Sequence, residues 1–314
     1  MFENILQILI SVGLYSSAVR LATPLLFAAL GGVIAERAGV LTFCAEGLML
    51  IGAFFAVLGS SLTNNVWLGI AMGMAASGLV SLIYAFLVVT IRANQIVSSV
   101  ALNIFAMGIT SFLFSSIFGV LQVPMRVAKL TVWSIPYLSQ IPFLGPVLFK
   151  HVPLVYLSLL ILPLVHFILY RTKWGLNVRS VGEHPHAADS LGVNVFRIRY
   201  QTILIAGLMA GIGGAFLSIG QLGTFVDNMV SGRGFIAYTT IVFGKWTPIG
   251  TFLGCLLFGF ADSLQMRFQG LGINIPGQIF IATPYIITLI ILAFYVGHAV
   301  MPAASAKPFS REEG

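Results

Sequence analysis

Long apolar runs free of charge leave this chain few ways to fold. Val66 to Ile91, Gln95 to Val120 and Gln201 to Leu222 contain no Asp, Glu, Lys or Arg. Each has the roughly twenty residues a helix needs to cross a hydrocarbon core. Only 8% of the 314 residues are charged and 58% are hydrophobic, whereas about a quarter of an ordinary globular chain is charged. The sequence therefore predicts an all-α polytopic membrane protein. Its basic surplus, +7 at neutral pH, fits Lys and Arg gathered in cytoplasmic loops and calls for no nucleic acid partner.

Taken in order, the runs predict about ten transmembrane helices, some short or broken. Asn4 to Val19 and Leu21 to Ala35 read as two short helices parted by Arg20, with one long broken helix as the alternative. Val40 to Leu62 is interrupted near Glu46-Gly47, and the two uncharged runs Val66–Ile91 and Gln95–Val120 follow. Pro124, Pro136, Pro142 and Pro146 punctuate the stretch 121–152, which is predicted to be a structured external loop. Pro153 to Tyr170 leads into a charged loop at 171–200, and Gln201 to Leu222 leads out of it. Gly223 to Arg233 is a glycine-bearing turn, and Phe235 to Gly244 is too short to span unless its ends are buried in protein. Ile249 to Met266 and Gln278 to Val296 complete the set before a polar tail at 298–314. The N-terminal MFENILQILI lacks the basic start and cleavage site of a removable signal, so it is expected to remain in the first span.

Placing 171–200 in the cytoplasm puts ten basic residues there: Arg37, Arg92, Arg171, Lys173, Arg179, Arg197, Arg199, Lys245, Lys307 and Arg311. Six remain outside: Arg20, Arg126, Lys129, Lys150, Arg233 and Arg267. This bias predicts a cytoplasmic charged loop and two cytoplasmic termini.

Enzyme signatures are missing. Gly244-Lys245 is followed by Trp246 and lacks the upstream glycine of a P-loop. Gly211-Ile212-Gly213-Gly214-Ala215-Phe216 fails the dinucleotide fingerprint at its third glycine. Cys44 and Cys255 stand alone and no HExxH occurs, so no metal site is expected. An acid inside a span is costly, which makes Glu46 a candidate: it either lines a cavity at the helix interruption or caps the half-helix that follows. Asp262 is placed to reach Arg267, and His166 reads as a core histidine. Asn94, Gln95, Ser98, Ser99 and Asn103 include helical neighbours that can share a face. They suit an uncharged polyhydroxylated or heterocyclic solute, or else hydrogen bonding between helices. Gly69-xxx-Gly73 and Gly207-xxx-Gly211 read as close helix packing within the membrane.

Without an ATP site or a chain of intramembrane acids, energy for concentrative transport has to arrive from outside the chain. The loop 171–200 is where it would enter. Pro185 suits a helix start, Glu183 that end of its dipole and Gly192 a left-handed stop, so a helix of about two turns is predicted from Pro185 to Leu191.

Gly182-Glu183-His184-Pro185-His186-Ala187-Ala188-Asp189, continuing through Gly192, resembles the G-E-N-P-x-A-A motif of permease subunits in bacterial ATP-binding-cassette importers for simple sugars and nucleosides. That group is related to the ribose and branched-chain amino acid permeases. Leu21-Ala22-Thr23-Pro24-Leu25, Glu36-Arg37-Ala38-Gly39-Val40, Ala93-Asn94-Gln95, Gly232-Arg233-Gly234-Phe235-Ile236-Ala237 and Phe243-Gly244-Lys245-Trp246-Thr247-Pro248 resemble its nucleoside branch, and the likeness covers nearly the whole chain. Where that family reads V-x-N-I-G-x-E-G, this chain has Val40-Leu41-Thr42-Phe43-Cys44-Ala45-Glu46-Gly47, so Thr42 and Cys44 replace an asparagine and a glycine. His184 stands where asparagine is common.

The resemblance implies a single permease domain over 1–314 that is not itself an enzyme and holds no cofactor, ATP and Mg being bound by partner subunits. Those ATP-binding cassette subunits would dock on a cytoplasmic coupling helix around 182–189 and Gly192. A second homologous permease or a second copy would complete the membrane unit, and an external lipoprotein or periplasmic protein would deliver the solute. The setting implied is the bacterial cytoplasmic (inner) membrane and the solute a nucleoside or simple sugar. Thr42, Glu46, Asn94, Gln95, Ser99 and Asn103 are the candidate pathway residues. A stand-alone transporter or facilitator is the alternative and would call for paired acids across an inverted repeat.

Overall fold

In the computed structural model, residues 10–119, 126–270, 286 and 300–311 are described. The chain opens with α1 (Val12–Arg37), α2 (Ala45–Thr63), α3 (Val66–Ala85, prolonged by the π-helical turn Phe86–Thr90) and α4 (Gln95–Phe118). A small unit follows: β1 (Trp133–Ser134), a 3-10 turn (Leu138–Gln140), α5 (Leu144–Leu148) and β2 (Lys150–His151). Then come α6 (Pro153–Arg171), α7 (Lys173–Glu183), α8 (Pro185–Ser190), α9 (Val195–Ala215, prolonged by the π-helical turn Phe216–Leu222), α10 (Arg233–Phe243) and α11 (Pro248–Gln269). Among the described residues, seven helices are long and apolar enough to cross a membrane: α1, α2, α3, α4, α6, α9 and α11. The span read at Gln278–Val296 lies outside the described residues.

Helix α1 is the hub. Its apolar stretch is 89% buried, against 28% in α4 and in α6, and it packs on α9, α10 and α11. Helix α3 lies between α2 and α9 at close range. A Cβ on Gly69 would meet the Ser60 side chain at 2.9 Å, and one on Gly211 would lie 2.9 Å from the Gly73 carbonyl oxygen. Both four-residue glycine spacings therefore serve contacts within this chain, where dispersion and not hydrophobic exclusion drives association.

The expected break at Arg20 does not occur, because α1 is continuous from Val12 to Arg37. Arg20 is exposed on the helix surface, where its long stem carries the charge without interrupting the backbone. Pro24, four residues on, withholds the N–H that would bond the Arg20 carbonyl, and Gln221 Nε2 reaches that oxygen at 3.5 Å. One continuous helix also puts its two ends on opposite sides. Arg37 lies with Tyr170, Lys245 and Trp246 at the end that carries α7 and α8, which we call the coupling end. Tyr15 lies at the other end, its ring 5.3 Å from Phe143. The side on which the chain starts thus turns on residues 1–9, outside the described set. Residues 300–311 pack at the coupling end, on α8.

The segment 171–200 is mostly helical, not a loop around one short helix. Thr172 caps α7, with Oγ1 accepting from Gly175 N at 3.1 Å, and α9 begins at Val195, so Arg197 and Arg199 sit in its first turns. Arg199 is buried, which removes it from the solvated basic residues. Within 126–152, β1 and β2 pair antiparallel, Trp133 opposite His151, and α5 packs on α1. His151 is buried and its Nε2 donates to Val147 O at 2.8 Å. Asp262 and Arg267 form no ion pair. His166 Nδ1 is buried without a hydrogen-bond partner among the described residues.

Candidate functional site

The centre of the molecule is a stretch of non-helical backbone, residues 38–44, inside the membrane-spanning bundle. Helix α1 ends because Gly39 takes φ +83, a conformation cheap only for glycine. Gly39 N then donates to Glu36 O and Val40 N to Ala35 O, closing the helix end. Non-helical backbone at this depth must find partners within the protein. They come from α3 and α4. Gln95 Oε1 accepts from Leu41 N at 2.8 Å, and Tyr84 OH donates to Leu41 O at 2.8 Å while accepting from Ser99 Oγ at 3.1 Å. Asn103 holds both flanks: Nδ2 donates to Phe43 O at 2.9 Å and Oδ1 accepts from Gly47 N at 2.8 Å. From Gln95 to Asn103, α4 rises about 12 Å at roughly 1.5 Å per residue. The start of α2 is therefore set deep in the bundle.

A second half-helix meets the first there. With its 11 residues α10 is only about 16 Å long. Its N-terminus is capped by Glu46, whose Oε1 accepts from Gly232 N and Oε2 from Gly234 N, each at 2.7 Å. Glu46 thus lies in the first turn of α2 while its carboxylate satisfies the exposed N–H groups of α10. Of the two sequence readings, capping describes it, but the helix it caps lies 186 positions away. Beside it the rings of Phe43 and Tyr238 stack with centroids 4.1 Å apart, both half-buried.

At the coupling end of the same break, fully buried Glu36 accepts from Thr42 Oγ1 at 2.6 Å and from Trp246 Nε1 at 2.7 Å. Arg37 turns the other way, Nε donating to Trp246 O at 2.7 Å. Lys245 and Trp246 adopt φ +52 and +53, a tight left-handed turn between α10 and α11. Glu36 and Arg37 therefore fasten α1 and the break to that turn.

Five of the six pathway candidates, Thr42, Glu46, Gln95, Ser99 and Asn103, converge on the break, and each is engaged in holding it. Asn94 does not join them: its Oδ1 caps α4 by accepting from Ile96 N and Val97 N. Gln95 Nε2 is buried with no partner among the described residues. Sequence reasoning passed over Glu36, Tyr84, Trp246 and the Phe43–Tyr238 pair as site residues. The signal for Glu36 and Trp246 lay in the segments Glu36–Val40 and Phe243–Pro248, quoted only for resemblance, whereas Tyr84 and Tyr238 carried none. Among the described residues, no group of three His, Cys, Asp or Glu is placed to hold a metal.

At the coupling end, α8 has Pro185 in its first turn. It is closed by Gly192 at φ +85, with Val193 N donating to Ala188 O at 3.0 Å. Gly182 packs so tightly on the Arg37 carbonyl that no side chain fits. Glu183, His184, His186 and Ala187 are exposed, as is Gly192; Pro185 and Asp189 are partly so and Ala188 is buried.

A multi-spanning bundle whose helices break inside the membrane, joined to a short presented helix and lacking a reactive constellation in its described spans, has the build of a transport subunit. The chain belongs to the family described as the branched-chain amino acid transport system / permease component, whose model matches residues 14–296. It is 42% identical to the guanosine ABC transporter permease protein NupQ of Bacillus subtilis, over 92% of this chain and 93% of that one. With the nucleoside ABC transporter permease protein NupC of Lactococcus lactis it shares 36% identity over 96% of each chain. A Haloferax volcanii permease, TsgC13, whose name assigns it provisionally to glucose, is also 36% identical, over 96% of this chain and 98% of that one. No solved structure matches. The protein is a multi-pass membrane permease subunit of an ABC importer.

Proposed function

We propose that this permease carries a nucleoside inward across the bacterial cytoplasmic membrane. Energy comes from ATP bound, with Mg, by separate cassette subunits that dock on α8. A second, homologous permease faces the weakly buried sides of α4 and α6, and an external binding protein delivers the solute. The segment 171–200 and the tail lie in the cytoplasm.

The observation that carries the solute class is the half-buried Phe43–Tyr238 stack beside the break, set where the two nearby acids, Glu36 and Glu46, are already occupied by hydrogen-bond donors. Such a surface favours a flat, uncharged, hydrogen-bonding molecule, since aromatic rings gain from stacking on a heterocycle. The names of the Bacillus and Lactococcus relatives support the same class. The Haloferax relative supports a sugar as the second reading.

The test is uptake of labelled guanosine with unlabelled competitors, in cells that hold the whole importer. Adenosine, inosine or uridine is expected to compete and glucose to leave uptake unchanged. Competition by glucose alone would move the assignment to sugars. ATP-independent flux through the permease alone would return it to a facilitator.

A further inference from the structure

The tail 300–311 lies across the coupling end. Phe309 is 3% exposed, with its ring 5.0 Å from His186 of α8 and 5.5 Å from Phe196 of α9. Arg311 grips Asp189 of α8 as a fork, Nε to Oδ2 and Nη2 to Oδ1, both at 3.0 Å. Ala304 N donates to Gly182 O at 2.9 Å and Ala303 N to Glu183 Oε2 at 3.3 Å. Beneath the tail Arg199 is 1% exposed, and its Nη1 donates to Lys307 O at 3.0 Å. Its Nε and Nη2 have no partner among the described residues. The tail therefore screens a buried guanidinium that would otherwise face water.

Helix α8 has six residues, of which only Ala188 is buried. So short a helix has little stability of its own. Its orientation has to be set by what touches it: the tail holds the end of α7 just before it through Gly182 and Glu183, and α8 itself through His186 and Asp189.

We infer that segment 303–311 is a strap that holds the coupling helix in the orientation through which ATPase motion reaches the bundle, with Phe309 and Arg311 as its positioning residues. This inference rests on the proposed role of α8. A rigid lever transmits displacement, whereas a loose one absorbs it. Phe309 carries more of the hold, because removing a buried ring shifts an equilibrium on the order of a hundredfold, whereas an exposed ion pair shifts it by up to about fivefold. Arg311 is of the second kind, its side chain being 61% exposed.

Two readouts test the strap. In the permease alone, in detergent or nanodiscs, amide exchange over 184–192 is expected to quicken at least tenfold in Phe309→Ala and to stay near wild type in Phe309→Leu. In proteoliposomes holding the complete importer, solute moved per ATP hydrolysed is expected to fall about tenfold in Phe309→Ala and two- to fivefold in Arg311→Ala. Arg311→Lys, which keeps the charge but not the fork, should restore part of the loss. Wild-type exchange in Phe309→Ala would overturn the strap, and so would faster exchange with an unchanged transport ratio. The exchange arm needs neither solute nor ATPase, so its failure is separable from failure of the transport reading.

Discussion

The break at 38–44 and the short helix α8 with its Gly192 stop are both brief connections between longer helices, yet they are held by opposite means. At the break, backbone groups cut off from water are met by side chains of distant helices, and buried Glu36 is balanced by neutral donors from Thr42 and Trp246. At the coupling end, α8 is wet, and the Arg311–Asp189 pair is the ion pair found among the described residues. Hydrogen bonds are strong where water is absent, and exposed ion pairs are weak where it is present. The first region is therefore built to stay fixed, whereas the second is held by contacts that water and salt can loosen.

Substitutions can break or sharpen that contrast. The largest effect is expected from Glu46→Ala, which strands the N–H groups of Gly232 and Gly234. Bonds to a charged acceptor contribute about 1.5–3 kcal/mol each, so the variant should lose several kcal/mol, read as a large fall in Tm in detergent. Glu46→Gln should lie between, since it keeps one acceptor. A wild-type Tm in Glu46→Ala would refute the role given to the break. Trp246→Phe removes one donor from Glu36 while keeping the apolar volume, for an expected cost of about 1–3 kcal/mol on the same assay.

A smaller effect is expected at the opposite end, where burial holds the His151 imidazole below its ordinary pKa of 6.5. The neutral ring is the form the fold prefers, so its contribution is complete above pH of about 6.5 and is lost as pH falls through the lowered folded value. Protease protection of 126–152 should weaken on acidification in the wild type and lose that dependence in His151→Gln. The smallest effect belongs to the exposed pair: Arg311→Ala should cost less than about 1 kcal/mol of global stability, an amount that salt erases. A larger, salt-resistant loss there would remove the distinction between the two regions.

Much of the fold was legible in the sequence, and the site only in part. The spans at Val66, Gln95 and Pro153 and the Gln201–Leu222 part of α9 follow from apolar runs, and α8 ends within a residue of its reading because Pro185 and Gly192 act locally. The pathway set was half legible. Gln95, Ser99 and Asn103 do share a face of α4, but helical spacing could not say that they bind backbone at 41–47. Charge misled at Arg20, where an exposed side chain left α1 intact, and along 171–200, where α7 and the start of α9 are helical.

By itself, the sequence determined that the chain crosses a membrane many times and where it presents a short helix. Hydrophobicity summed over about twenty residues, and the backbone limits of proline and glycine, are properties a local stretch carries alone. Only the tertiary structure decided which polar groups meet. Glu46 finds the start of α10 186 positions on, Gln221 finds the Arg20 carbonyl across 201, and the tail finds the coupling helix across 122. An unpaired polar group in an apolar interior can be satisfied by any helix the fold brings near, and that choice belongs to packing.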